Sequence, residues 1–241
     1  MPENPWLGRV VPSPDQYAAI SASIGEAPLI ATTPPRRSPL VWQYRLPRRR
    51  AQEIGCCVGE AGASMAETTC RTPDPLPERV QPVAGSPAFS PLWVYWVARQ
   101  YSRGQGRPVL GQGAIVSDAL QAVISGGLVL YDVWPATTAN YRAYSDDRPP
   151  QQALNAFKLR IAGEAKLLTS PDAVLDYLGA GYSVWVGVPW RGGNTTDRDG
   201  RFRWGSSSIG GHAVELLGYD LDLNVLYVGN SWDNAGWGFQ P

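Results

Sequence analysis

Between Gly210 and Gly238 the chain reads GGHAVELLGYDLDLNVLYVGNSWDNAGWG, and no other stretch constrains the fold as tightly. Two largely apolar runs, His212 to Tyr219 and Val225 to Asn230, flank the turn segment DLDLN. That is the pattern of two antiparallel strands joined as a hairpin. His212 is the only histidine in 241 residues, and Asn230 follows it by 18 positions. The spacing suits an imidazole and a carboxamide on one face of the paired strands. The amide can accept from one ring nitrogen and orient the ring while the other nitrogen faces a reacting group.

A base of this kind needs something to deprotonate. Far upstream, EIGCCVGEAGASMAE has Cys57, Ala61, Ser64, Met65 and Thr68 at helical spacing, which predicts a helix over Gly55 to Thr68 with Cys57 at its start. A helix N-terminus favours an anion, and the thiolate is the nucleophilic form of cysteine. The backbone N–H of Cys57 and the side chain of Gln52 are candidate donors to an oxyanion. Read alone, Cys57 fits better as a small buried apolar residue, and a lone histidine beside Gly-Gly better as a structural one.

Further helices are expected after three serines. Ser90-Pro91 opens LWVYWVARQYSRG, whose Leu92 to Val97 run calls for burial. Ser117-Asp118 caps ALQAVISGG, closed by Gly126-Gly127, and Ser170-Pro171-Asp172 caps AVLDYLGAG, closed by Gly179. Strands are expected at Tyr182 to Val188 and, after a turn at Asp197–Gly200, at Gly200 to Trp204. A helix-rich first two thirds and a strand-rich last third make an α+β chain with segregated halves. Residues 1–50 are proline-rich but carry Trp6, Leu7, Val10, Val11, Tyr17 and Trp42. They are expected to wrap over the body in extended form, with a short helix from Asp15 to Ile24.

Composition narrows the function classes. Lys plus Arg equal Asp plus Glu, 21 against 21, so no global field favours nucleic acid or an anionic membrane. Arg48–Arg49–Arg50 reads as a solvated run. Neither a signal-peptide pattern nor an apolar run long enough to span a bilayer is present, and a cytoplasmic location is expected. Three cysteines make no disulfide framework. One histidine with adjacent Cys56 and Cys57 fails zinc spacing, so no metal or cofactor is expected. Cys70 reads as a buried thiol, and Glu60 and Glu67 as solvated helix-face charges. Trp134, Trp185, Trp190 and Trp204 read as core or cleft wall.

Taken together, these segments resemble the papain-like cysteine peptidase family, in its bacterial and phage-type branch. IGCCVGEAGAS resembles the nucleophile element, FSPLWVYWVARQ and SDALQAVISGGLVLYDVWP the helices that follow it, and GGHAVELLGYD and GNSWDNAGWG the His and Asn motifs. LGRVVPSPDQY resembles the N-terminal element of that branch, which makes residues 1–50 integral to the domain. The resemblance implies one papain-like domain over residues 1–241. A helical lobe (about 51–180) would face an antiparallel β half-barrel (about 181–241), with the active site in the cleft between. It implies a peptide or protein substrate and acyl-enzyme hydrolysis: Cys57 as nucleophile, His212 as base and acid, Asn230 as orienting group, Gln52 as oxyanion donor, and Trp232 as a shield over the His–Asn bond. In the family the His and Asn follow the Cys by roughly 130–150 residues; here His212 lies 155 and Asn230 173 positions after Cys57. Three departures stand out. Gln52 precedes Cys57 by five positions where the family has six. Cys56 replaces the usual Ser, Asp233 replaces the Gly that follows NSW, and the sequence stops at Pro241 where the family runs on through a further strand, so that either the barrel is shortened or the sequence is a fragment. These leave two rivals open: a peptidoglycan or isopeptide hydrolase with the same triad, and a non-enzymatic homologue with a structural or assembly role, for which virion association is open. Oligomeric state is not specified by the sequence.

Overall fold

The structure, a computed structural model, describes residues 40–41, 52–70, 89–107, 109, 111–143, 149–156, 158–160, 165–182, 184–193, 195–196, 201–203 and 205–232. The expected wrap and short helix of residues 1–50, the Arg48–Arg50 run, the turn at Asp197–Gly200, Trp204 and Asp233 lie outside the described residues, as does the side chain of Cys70.

Helix α1 (Cys57–Cys70) is the element the others surround. It packs against α2 (Pro91–Gly104), α3 (Val116–Gly126) and the strands β2 (Val184–Gly192) and β5 (Ser207–Asp220). Small residues let these elements come close. A Cβ added at Gly62 would sit 2.6 Å from the Trp185 indole of β2, and one at Gly59 would sit 2.2 Å from the Pro91 carbonyl oxygen of α2. Because neighbours enclose it on every side, α1 buries its charged residues too. Glu60 and Glu67, expected on a solvated face, are both buried. Glu67 Oε1 accepts from Phe89 N at 3.1 Å, and Glu60 Oε1 accepts from the Tyr141 hydroxyl. Helical periodicity shows which residues share a face, not how many faces are covered.

The α2 helix starts as expected. Ser90 Oγ accepts from Trp93 N at 3.1 Å, with Pro91 in the first turn. Leu92, Trp93, Val94, Tyr95 and Ala98 are buried in one core with Val58, Ala61 and Ala66 of α1; each large apolar side chain there contributes roughly 1.5–3 kcal/mol. Helix α3 corrects an expected cap: Ile115 occupies the N-cap and makes no side-chain bond, while Ser117 lies inside the helix with its hydroxyl buried and unpartnered among the described residues. Residues 131–133 form a 3₁₀ turn, followed by the short helices α4 (Thr138–Ala143) and α5 (Gln151–Asn155). These are too short to show a period in sequence. Helix α6 (Pro171–Gly179) is capped by Ser170 as expected, with Ser170 Oγ accepting from Ala173 N at 3.1 Å.

The sheet is antiparallel and open, built around the 14-residue β5. β2 pairs with it from Val184↔Leu216 to Gly192↔Ser207, with a register shift between Trp190 and Arg191. β6 (Val225–Gly229) pairs from Asp220↔Val225 to Glu215↔Gly229, and β1 (Leu40–Val41) pairs with Tyr219 and Gly218. β3 (Thr195–Thr196) and β4 (Phe202–Arg203) form a separate ribbon. The hairpin expected around DLDLN is present. Its turn is set by Asp220, whose Oδ1 accepts from Asp222 N and Leu223 N, both at 3.0 Å. Helices gathered before an antiparallel sheet make the fold α+β. Among the described residues no helix is long and apolar enough to cross a membrane.

Candidate active site

The hairpin brings His212 and Asn230 together. His212 Nε2 lies 2.8 Å from Asn230 Oδ1. That oxygen also accepts from Ser231 N at 2.8 Å. Since a backbone N–H can only donate, the amide atom between them is the acceptor, and the imidazole must carry its proton on Nε2. In the neutral ring this leaves the lone pair on Nδ1, which has no hydrogen-bond partner among the described residues.

Two indoles flank the ring. Trp232 lies 4.3 Å from the imidazole centroid at an interplanar angle of 31°, and Trp190 lies 4.9 Å away edge-on at 75°. The indoles also touch each other, 4.7 Å apart, and Phe202 backs Trp190 at 4.9 Å. His212 is fully buried. Burial lowers its pKa from 6.5 to about 4, opposed by the bond to Asn230. A cationic ring there requires a nearby anion.

Cys57 is the first residue of α1, where the partial positive charge of the helix end is concentrated. It is fully buried, in the same core cluster as Ala213, the neighbour of His212 on β5. Cys56 has a different environment. Its Sγ points to Glu60 Oε1 at 4.0 Å. Burial, then the Glu60 carboxylate, then Cys57 push its pKa well above the ordinary cysteine value, so it stays a thiol. Tyr141, which donates to the same carboxylate, is raised well above the ordinary tyrosine value by burial.

Gln52 is brought to the strand side. Its backbone N donates to Ser231 O at 2.8 Å, its Oε1 accepts from the Ser231 hydroxyl, and its Nε2 donates to Ile54 O at 3.1 Å. The stretch from Gln52 to Cys57 closes through a tight turn in which Cys56 N donates to Ile54 O at 2.7 Å. Sequence reasoning missed Ser231 as the residue that holds Gln52, Trp190 as a second ring on the imidazole, and Gln112, whose Oε1 accepts from Gly55 N at 2.8 Å. The only sequence hint for Gln112 is the glycine on either side of it. Trp134 and Trp190 are buried and Trp185 packs at the core edge, as expected of core or cleft-wall residues. Among the described residues no group of three or more His, Cys, Asp or Glu side chains could hold a metal ion.

Helices surrounding a cysteine-headed helix, packed on an open antiparallel sheet that carries a His–Asn pair, make the papain-like fold, and similar solved structures agree. Xylellain, a cysteine protease from Xylella fastidiosa, superposes with a TM-score of 0.64 at 18% identity, over 95% of this chain and 85% of that one. Digestive procathepsin L 3 of the Tenebrio molitor larval midgut gives 0.57 at 16% identity, over 89% and 66%. ProCathepsin B S9 from Trypanosoma congolense gives 0.55 at 15% identity, over 97% and 78%. No family model matches the sequence, and no curated protein does.

Proposed function

We propose that this chain is a cysteine peptidase of the bacterial and phage-type papain-like branch, hydrolysing peptide bonds in a peptide or protein substrate without a cofactor. The observation that carries the reading is the state of His212: Nε2 bound to Asn230 Oδ1 at 2.8 Å, and Nδ1 left with a lone pair and no partner among the described residues. A base so oriented accepts the Cys57 proton on Nδ1, and the thiolate attacks the substrate carbonyl. The oxyanion is met by the Cys57 N–H and by Gln52. His212 returns the proton to the leaving amine as the acyl-enzyme forms. Water then gives a proton to Nδ1 and attacks the thioester, and Cys57 leaves as thiolate. The state of Cys56 supports Cys57 as nucleophile, since Cys56 is held protonated beside Glu60.

A second reading, a scaffold that keeps the fold without turnover, draws on the complete burial of Cys57 and His212. The rate of iodoacetamide alkylation at each cysteine between pH 4 and pH 9, in wild type and His212→Ala, separates the two. Alkylation of Cys57 that persists into acid and is lost without His212 is expected of the peptidase. Reaction only above about pH 8, as for an ordinary thiol, favours the scaffold. Turbidity loss with purified cell walls decides whether the scissile bond lies in peptidoglycan.

A further inference from the structure

The stretch from Gln52 to Cys57 that leads into α1 carries both candidate oxyanion donors, and its bonds to the rest of the molecule show what fixes it. At its first residue it is tied to Ser231 through Gln52. At its centre, the N–H of the buried Gly55 donates to Gln112 Oε1 at 2.8 Å. The segment 111–113 that presents Gln112 is itself clamped from α2. Arg99 Nη1 donates to Gly111 O at 3.0 Å and to Gly113 O at 2.8 Å, and Gly113 N donates to the Tyr95 hydroxyl at 2.7 Å. Arg99 and Tyr95 are both buried. Gly111 and Gly113 have φ of +60° and +119°, a backbone shape open to glycine and strained for other residues. Gly-Gln-Gly is therefore a rigid mount, and the only residue of the three with a side chain is aimed at the peptide just before the two cysteines.

We propose that Gln112 is a positioning residue that holds the nucleophile-bearing turn in register for oxyanion binding, an inference that rests on the peptidase reading above. The Gly55 bond fixes the plane of the Ile54–Gly55 peptide, two peptides before the Cys57 N–H. Losing that restraint lets the donor drift while leaving the helix, the thiol and His212 in place. Displacements of an ångström at a catalytic donor cost rate well out of proportion to their effect on stability. Gln112 is exposed, so its replacement does not disturb the core.

The experiment compares wild type, Gln112→Leu and Gln112→Glu. It measures kcat and KM on fluorescently labelled casein, inhibition by a dipeptidyl aldehyde, and the alkylation rate of Cys57 by iodoacetamide at pH 6. The hemithioacetal formed by the aldehyde places an oxygen where the oxyanion develops. In Gln112→Leu, kcat is expected to fall by about tenfold or more and aldehyde affinity to fall in parallel, with KM and Cys57 alkylation close to wild type. Gln112→Glu, which keeps an acceptor of the same reach, stays nearer to wild type in both. Wild-type kcat and aldehyde affinity in Gln112→Leu, a loss confined to KM, or a Gln112→Glu variant as impaired as Leu overturns the proposal while leaving the peptidase reading intact. A wild-type protein with neither turnover nor acid-persistent alkylation sinks both.

Discussion

On the strand side of the site His212 is set by one carboxamide and two indoles; on the helix side Cys57 heads a helix whose residues are buried almost all round. A few directional contacts place the imidazole, whereas many non-directional ones place the thiol. Changes on the strand side should therefore alter the chemistry while the fold survives. Changes to the body of α1 should alter stability first. The two adjacent thiols mark the border. Cys56 faces a buried acid and stays protonated, while Cys57 sits at the helix end beside the strand that carries His212.

The sharpest test of that border is to remove each thiol in turn. Cys57→Ala is expected to lower kcat by roughly 10⁴-fold or more, while Cys56→Ala keeps activity within about tenfold of wild type; casein hydrolysis reads both. Equal losses would erase the distinction between the two residues.

A second test concerns the strand side in Cys57→Ala, where no thiolate can balance a cationic ring. His212 has a folded pKa of about 4 against 6.5 unfolded. Between these values the unfolded chain binds more protons, so the stability contributed by the neutral ring is present above pH 6.5 and is lost as pH falls toward 4. The shift corresponds to about 3 kcal/mol. Urea unfolding of Cys57→Ala at pH 8 and pH 4, compared with Cys57→Ala/His212→Gln, isolates this contribution. An identical pH dependence in the two would mean that the ring is solvated.

Asn230→Ala should leave the fold intact and reduce kcat ten- to a hundredfold, because the ring loses the acceptor that fixes its tautomer. Steady-state kinetics with a circular-dichroism control checks this. Smallest in energy, and purely structural, Gly59→Ala presses a methyl group against the Pro91 carbonyl oxygen. It should cost about 1–3 kcal/mol in urea unfolding. Full stability in that variant would mean that α1 and α2 can separate at no cost.

The features legible in the sequence were those encoded locally. The hairpin declared itself through two apolar runs around DLDLN, and the 18-residue spacing of His212 and Asn230 followed from it. Ser90 and Ser170 sit before Pro and cap helices as their chemistry dictates. Ser117 misled because Ser-Asp reads as a cap, but the chain enters α3 two residues earlier, at Ile115. Glu60 and Glu67 were misread because their burial depends on how many elements close around α1, which no window of sequence reports. Gln112 was invisible for the same reason: its partner lies 57 positions away, and that approach is created by the packing of α2. The placement of Trp190 against the imidazole likewise depends on the β2–β5 register, which the chain specifies only once folded.

The separation of the two sides also bears on when the site comes into being. The hairpin bearing His212 and Asn230 closes over a few residues and belongs to the class of structures that form in microseconds. Its proposed nucleophile lies 155 positions earlier in the chain, and contacts that distant are made late in folding, after the loop-closure entropy has been overcome. A partly folded chain can hold the His–Asn pair beside no thiol, or the thiol beside no imidazole, and on the peptidase reading neither could cleave the chain itself or its neighbours. Catalytic competence would then be a property of the assembled domain alone, acquired in the final docking of helix against sheet.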